Sequence, residues 1–227
     1  MFDLSLYLVT DRVLSRGRTT VDIVREAVAG GVTCVQLREK DLPIRDFIAE
    51  ARLLKDLLTP MGIPLIINDR LDVALAVGAD GVHLGQQDMD IIDARRLVGP
   101  GVAIGISAES LEDALRAQAR GADYIGISPV FATATKPDAA VPLGLDGVRR
   151  LREAVRLPIV GIGGISCDNA AAVIAAGANG VAVVSAIVAA DFPERAAAAL
   201  KKCLRTRFTD QLDIETLNLG PGPRGLS

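Results

Sequence analysis

The chain has 227 residues, half of them hydrophobic, and a formal net charge of -3. This length suits one large core, and the acidic pI near 5.3 gives no broad basic surface, so we expect no nucleic-acid partner. Its longest weakly polar run, residues 180–190, falls short of the roughly 20 residues of a membrane span, so we expect no membrane partner.

Apolar runs of strand length alternate with segments of helical period along the chain. The predicted strands cover residues 6–10, 34–38, 65–67, 81–84, 103–106, 124–127, 159–162 and 181–184. The predicted helices cover residues 20–29, 44–58, 71–77, 91–98, 111–120, 146–155, 169–176 and 192–204. Strict alternation predicts parallel strands, and the number eight favours a closed (β/α)8 TIM barrel of the α/β class over an open sheet. We expect one barrel domain, residues 1–208, and a loose Gly/Pro-rich tail, residues 209–227.

A weak repeat supports the alternation. Gly31, Gly78, Gly121 and Gly177 each follow a predicted helix and precede a predicted strand. Glycine in this position commonly ends a helix, so the same turn is expected between each of these pairs of elements.

Alternation within the strands predicts which side chains face the barrel interior. Branched apolar residues such as Val35, Leu37 and Val82 fall on the helix-facing side. Gln36, Arg38 and Lys40 fall on the interior side, as do His83 and Ser107 on later strands. Because small and polar residues dominate the interior phase, we expect a polar pocket at the carboxyl ends of the strands.

Two strands end in a carboxylate, Asp69 and Asp88. On neighbouring parallel strands these carboxylates would share one rim, where a hard cation such as Mg2+ binds together with phosphate groups. The alternative is that each residue caps the helix that follows it. Arg38 and Lys40 end another strand and suit a diphosphate. The alternative is that both are rim cations that are solvated or ion-paired with Glu39, but their interior phase favours the diphosphate.

Two later segments indicate phosphate binding. The loop 128–136 contains Thr133, Thr135 and Lys136 and is predicted to close over an anion, or else is a flexible loop with incidental hydroxyls. The turn around Gly163 and Gly164 and the end of strand eight lie where many barrels bind phosphate.

The remaining reactive side chains point to no nucleophile. His83 is the only histidine and is expected to be an interior hydrogen-bonding residue rather than a catalyst. The three cysteines are too far apart in sequence for a disulfide framework or a metal-ligand spacing, which fits a cytoplasmic location.

Several motifs together resemble the thiamine phosphate synthase family. They are QLREK at residues 36–40, ND at 68–69, HLGQQD at 83–88, GIS at 105–107, SPVFATATK at 128–136, GGI at 163–165 and VS at 184–185. The resemblance covers residues 6 to about 205. It departs from the family at Glu109, where a histidine is common.

The resemblance implies a transferase that joins hydroxymethylpyrimidine diphosphate to hydroxyethylthiazole phosphate and releases pyrophosphate. It implies that Arg38, Lys40 and Lys136 act in catalysis and that Asp69 and Asp88 hold Mg2+. The implied contacts to the pyrimidine diphosphate are Gln36, Leu37, Arg38, Glu39, Lys40, Asn68, Ser107 and Lys136. Those to the thiazole phosphate are Thr133, Ala134, Thr135, Gly164, Val184 and Ser185.

Three other functions remain open from the sequence. A thiazole tautomerase-like relative would bind the thiazole phosphate without the joining reaction and would be expected to lose the motif at 36–40, which is intact here. A non-catalytic phosphometabolite-binding barrel and an isomerase of amino-acid biosynthesis share the late phosphate turn. Assembly into homo-oligomers is left open.

Overall fold

A computed structural model describes residues 2–133 and 140–204. Its eight parallel strands close into a barrel in sequence order. The strands are β1 Leu6–Val9, β2 Cys34–Leu37, β3 Leu65–Asn68, β4 Gly81–Leu84, β5 Ala103–Ala108, β6 Tyr124–Ile127, β7 Ile159–Ile162 and β8 Gly180–Val183. The predicted barrel is therefore confirmed. The predicted tail, residues 209–227, lies outside the described residues.

The helices follow the predicted order. They are α1 Thr20–Ala29, α2 Ile44–Leu58, α3 Leu71–Val77, α4 Ile91–Val98, α5 Leu111–Ala119, α6 Gly144–Ala154, α7 Ala170–Ala175 and α8 Ser185–Val188. Residues 193–204 are also helical and correspond to the helix predicted over 192–204. The one-turn helix α8 was not predicted, because four residues are too few to show a period. Within the described ranges, no helix is both long enough and apolar enough to cross a bilayer.

The two faces of the strands bury two separate apolar clusters. Val35, Leu37 and Val82 join the larger cluster, which the strands form with the surrounding helices. Tyr7 and Tyr124 belong to a smaller cluster inside the barrel. This division confirms the predicted phase of the strands.

Two of the small residues inside the barrel make room for rings that lie below the predicted pocket. A Cβ on Gly105 would lie 2.1 Å from Cζ of Tyr124, and one on Gly126 would lie 3.0 Å from Cε1 of His83. The two glycines thus allow Tyr124 and His83 to lie across the neighbouring strands. The cavity begins above these rings.

A reciprocal pair of hydrogen bonds closes the amino-terminal end of the barrel at four places. Asp80 donates its backbone N–H to the carbonyl of Leu65 at 2.9 Å, and its Oδ2 accepts the N–H of Leu65 at 2.9 Å. The same two bonds join Thr33 to Leu6, Asp123 to Ile104 and Asn179 to Ile159. We call each such pair a strand clamp.

Each clamp residue lies shortly after one of the repeated glycines. Gly31, Gly78, Gly121 and Gly177 all have positive φ, from 61° to 108°, which supports the predicted helix-ending turn. The repeat therefore marks a unit of two strands and one helix in which the loop before the second strand is tied to the start of the first.

Candidate active site

A cavity of about 950 Å3 lies at the carboxyl ends of the strands. Most of the predicted site residues line it. They are Gln36, Arg38, Lys40, Asn68, Asp69, Asp88, Ser107, Thr133, Gly164, Val184 and Ser185. The structure thus brings into one cavity residues that seven different strands or their following loops supply.

Five predicted site residues are not placed in this cavity. The Leu37 side chain is fully buried among the helix-facing apolar residues. The Glu39 side chain is 4% exposed and pairs with Arg12 at 3.1 Å. Neither lines the cavity, so a ligand contact by either residue stays a prediction. Ala134, Thr135 and Lys136 lie outside the described residues.

The two strand-end cations are oriented by carboxylates. Arg38 Nη1 donates to Asp11 Oδ2 at 3.1 Å, and its backbone N–H donates to Thr10 Oγ1 at 3.0 Å. Lys40 Nζ donates to Asp69 Oδ2 at 2.5 Å. The sequence left open a pairing of these cations with Glu39, and the structure shows that Arg12 takes that place. Arg38 and Lys40 thus both reach the cavity.

Asp69 occupies a tight turn and does not cap the next helix. Its φ is 61°, and the N–H of Arg70 donates to the carbonyl of Asn68 at 2.7 Å across it. A three-residue turn with positive φ at a side-chain-bearing residue is rare and strained. The residue before α3 is Arg70, which makes no side-chain cap, so the helix-cap alternative for Asp69 is excluded.

Asp88 is likewise not a helix cap. Its Oδ2 accepts the backbone N–H of Gly85 at 2.6 Å, while Asp90 caps α4 by accepting from Ile92. Burial raises the pKa of Asp88, and the adjacent Asp69 carboxyl raises it further. Two carboxyls that disfavour each other's charge fit a divalent cation, because the cation would remove their mutual repulsion.

The described residues offer no larger ligand set for a metal. No group of three or more His, Cys, Asp or Glu side chains gathers within residues 2–133 and 140–204. Asp69 and Asp88 could therefore offer a cation two carboxylates and no further acidic ligand within these ranges. Such a site suits Mg2+, which binds through one or two carboxylates and takes its other ligands from water and phosphate oxygens.

A continuous chain of hydrogen bonds forms the floor of the cavity. Gln36 Nε2 donates to Tyr7 Oη at 2.9 Å, and the Tyr7 and Tyr124 hydroxyls lie 2.9 Å apart. Tyr124 Oη lies 3.0 Å from His83 Nδ1, and His83 Nε2 lies 2.9 Å from Ser107 Oγ. Burial lowers the pKa of His83 to about 4, against a weaker opposing effect of Asp69. We call this set the floor chain.

The turn after β7 lies close against the backbone of the segment that follows β6. Gly163 and Gly164 have φ of 101° and 62°. A Cβ on Gly164 would lie 2.5 Å from the carbonyl oxygen of Ala132. Asn169 holds the turn by donating to the Gly164 carbonyl at 2.8 Å. Ser185, which begins α8, also lines the cavity.

The sequence interpretation missed some residues that build the site. Asp11 orients Arg38. It directly follows the predicted first strand, so the pattern of a carboxylate at a strand end, which identified Asp69, also identifies Asp11. Tyr7 and Tyr124 line the cavity floor. Tyr124 follows the interior phase of its strand, two positions before Gly126, but its hydroxyl partner on β1 becomes apparent only when the strands are placed side by side.

The fold and the cavity define a barrel enzyme with a site for phosphorylated small molecules. A model of the family described as thiamine monophosphate synthase matches residues 6–187, and the chain belongs to this family. A thiamine-phosphate synthase of Albidiferax ferrireducens is 58% identical over 88% of this chain and 92% of its own length. One of Chloroflexus aurantiacus is 56% identical over 88% and 92%.

A solved structure agrees with the sequence relatives. The thiamine phosphate pyrophosphorylase of Pyrococcus furiosus is 42% identical, with a TM-score of 0.84 over 90% of this chain and 97% of its own. These findings confirm the predicted family, the barrel and the assignment as a transferase.

Proposed function

We propose that the chain condenses hydroxymethylpyrimidine diphosphate with hydroxyethylthiazole phosphate to give thiamine phosphate and pyrophosphate, with the aid of Mg2+. One observation carries the proposal. In a chain of the thiamine monophosphate synthase family, a single cavity joins two cations, two carboxylates and a glycine turn. A tautomerase-like relative is disfavoured because Arg38 and Lys40, which suit a diphosphate, both line that cavity.

The first step is departure of pyrophosphate. The bond between the pyrimidine methylene carbon and the diphosphate oxygen breaks, and its electron pair leaves with the pyrophosphate. Arg38, held by Asp11, and Lys40, beside Asp69, can stabilise the negative charge that develops on this oxygen. Lys136, outside the described residues, is predicted to add a third positive charge.

Asp69 and Asp88 would hold the divalent cation. When bound there, Mg2+ supplies charge neutralisation to the diphosphate oxygens. Lys40 now pairs with Asp69, so the two carboxylates and this ammonium form one charged cluster. Sharing Asp69 with a metal would leave Lys40 available to the diphosphate.

The second step is attack by the thiazole nitrogen. Its lone pair forms the carbon–nitrogen bond to the pyrimidine methylene, which gives the thiazolium product without an enzymic nucleophile. We propose that the glycine turn, Ser185 and Thr133 hold the phosphate of the thiazole substrate, because backbone N–H groups at such turns bind anions. Ala134 and Thr135 are predicted to join them.

The test follows pyrophosphate release with both substrates and Mg2+. Release that requires both substrates, and that stops on adding a chelator and returns with Mg2+, is the expected result. Asp88→Asn should reduce turnover by at least about tenfold, the loss that goes with removing a charged contact. Asp72→Asn serves as the control, because Asp72 is exposed and pairs with Arg70. Equal activity of the two variants, or indifference to the chelator, would refute the metal assignment.

A further inference from the structure

The floor chain has a direction that its two ends determine. A carboxamide nitrogen can only donate, and Gln36 Nε2 contacts the Tyr7 hydroxyl at 2.9 Å. Tyr7 then has its one hydrogen left for its other hydroxyl neighbour, Tyr124. The nearby Cys34 thiol is a weak partner and does not compete with these groups. Tyr7 therefore accepts from Gln36 and donates to Tyr124, and Tyr124 in turn donates to His83.

The same logic sets the form of the histidine. Tyr124 donates to Nδ1 of His83, so Nδ1 carries no hydrogen. A ring that accepts a hydrogen bond at Nδ1 is neutral, and a neutral imidazole has its hydrogen on one nitrogen. That hydrogen is on Nε2 and is donated to Ser107 Oγ at 2.9 Å. The Ser107 hydroxyl is then left with its own hydrogen to offer to the cavity that it lines.

We propose that the floor chain is one positioning device in which Gln36 sets Ser107, across the barrel, as a hydrogen-bond donor to the pyrimidine diphosphate. The Ser107 hydroxyl accordingly donates to an acceptor atom of the ligand, either a ring nitrogen or a phosphate oxygen. Tyr7, Tyr124 and His83 act as positioning residues because each accepts a hydrogen bond from one neighbour and donates one to the next. The identity of the ligand rests on the proposed function, whereas the direction of the chain does not.

The structure supports this arrangement against a purely packing role. Tyr7 is 1% exposed and Tyr124 is 2% exposed, so the cost of an unsatisfied hydroxyl would be high. Gly105 and Gly126 allow the Tyr124 and His83 rings to lie close to the neighbouring strands. A core built only for packing would fill these places with aliphatic side chains, which need no partner.

The tautomer of His83 can be measured without any ligand. It is the only histidine of the chain, so a nitrogen-15 NMR spectrum of histidine-labelled protein reports on one residue. We expect a hydrogen on Nε2 and none on Nδ1 in the unaltered protein. A hydrogen on Nδ1 instead would overturn the proposed direction, and this measurement needs no variant that has to fold.

Gln36→Glu provides the decisive change. A carboxylate can only accept, so Tyr7 would have to turn its hydrogen towards residue 36, and every bond of the chain would reverse. We expect the hydrogen of His83 to move to Nδ1 at about pH 8, where a carboxylate is ionised. Adding Tyr7→Phe cuts the chain, and the double variant should lose the effect of Gln36→Glu. If the hydrogen of His83 stays on Nε2 in Gln36→Glu, the proposal is overturned.

Kinetics test the link to the ligand. Tyr7→Phe should raise the KM for the pyrimidine diphosphate about threefold to tenfold, the loss expected for one neutral hydrogen bond, and leave the KM for the thiazole phosphate unchanged. Equal changes in both KM values, or none, would overturn the ligand part of the proposal. Absence of turnover in the unaltered enzyme would instead refute the proposed function. The NMR result would still test the direction of the floor chain, because it needs no ligand.

Discussion

The buried histidine predicts a defined loss of stability in mild acid. The pKa of His83 falls from 6.5 in an exposed setting to about 4 in the folded protein, because burial disfavours the charged ring. The unfolded chain therefore binds a proton more readily, and the free energy of unfolding rises with pH between these two pKa values. Lowering the pH from about 7 to about 5 should cost about 2 kcal/mol from this residue alone.

The assay compares urea unfolding of the unaltered protein and His83→Gln at these two pH values. Buried carboxyls with raised pKa, such as Asp88, change the stability in the opposite direction, but they act equally in both proteins. The difference between the two proteins should therefore shrink by about 2 kcal/mol on going to the lower pH. An unchanged difference would refute the burial argument, as would a histidine NMR signal that titrates near its ordinary pKa.

Three further substitutions test the turn, the clamp and the buried glutamate. Gly164→Ala should impair thiazole phosphate binding and lower the free energy of unfolding by more than the about 1 kcal/mol that positive φ alone costs. The control is Gly62→Ala, where φ is 67° and the space around the residue is open, so the loss should be limited to that amount. Asp80→Ala should lower the free energy of unfolding by about 1–3 kcal/mol, because a strand N–H loses its acceptor; the exposed ion-pair residue Asp93 provides the control, and equal losses would contradict the clamp. Burial raises the pKa of Glu39, so its contribution to stability falls as pH rises through that pKa, and Glu39→Gln should flatten this part of a pH–stability curve measured by urea unfolding.

The barrel could be predicted from the sequence because its signal is spread along the whole chain. The eight strands and most of the helices each show a characteristic spacing of apolar residues. The alternation within the strands correctly placed Gln36, His83 and Ser107 on the interior side of the barrel. The clamps could not be predicted in the same way. Thr33 and Asp80 make the same two bonds but share no obvious residue type, so their equivalence appears only when the loops are compared in space.

The identity of many site residues could be predicted from the sequence, whereas the contacts between these residues could not. Asp69 and Asp88 were named from their position at strand ends, but both had a helix-cap alternative that only the turn geometry removed. The pairing of Arg38 with Asp11 joins the segments that follow β2 and β1, which are neighbouring strands of the barrel. Local sequence carries no trace of such a contact, because the partners are 27 positions apart.

The four strand clamps make the barrel modular. Each clamp lies wholly within one unit, such as β3 with β4, and none joins one unit to the next. A break in the chain at residues 99–101, between α4 and β5, would therefore cut no clamp and leave two complete pairs on each side. Two separately made halves would each keep the hydrogen bonds that fix the amino-terminal ends of their own strands. They would join through the strand pairs β4 with β5 and β8 with β1 and through side-chain contacts such as Arg18 with the carbonyls of Val188 and Ala190.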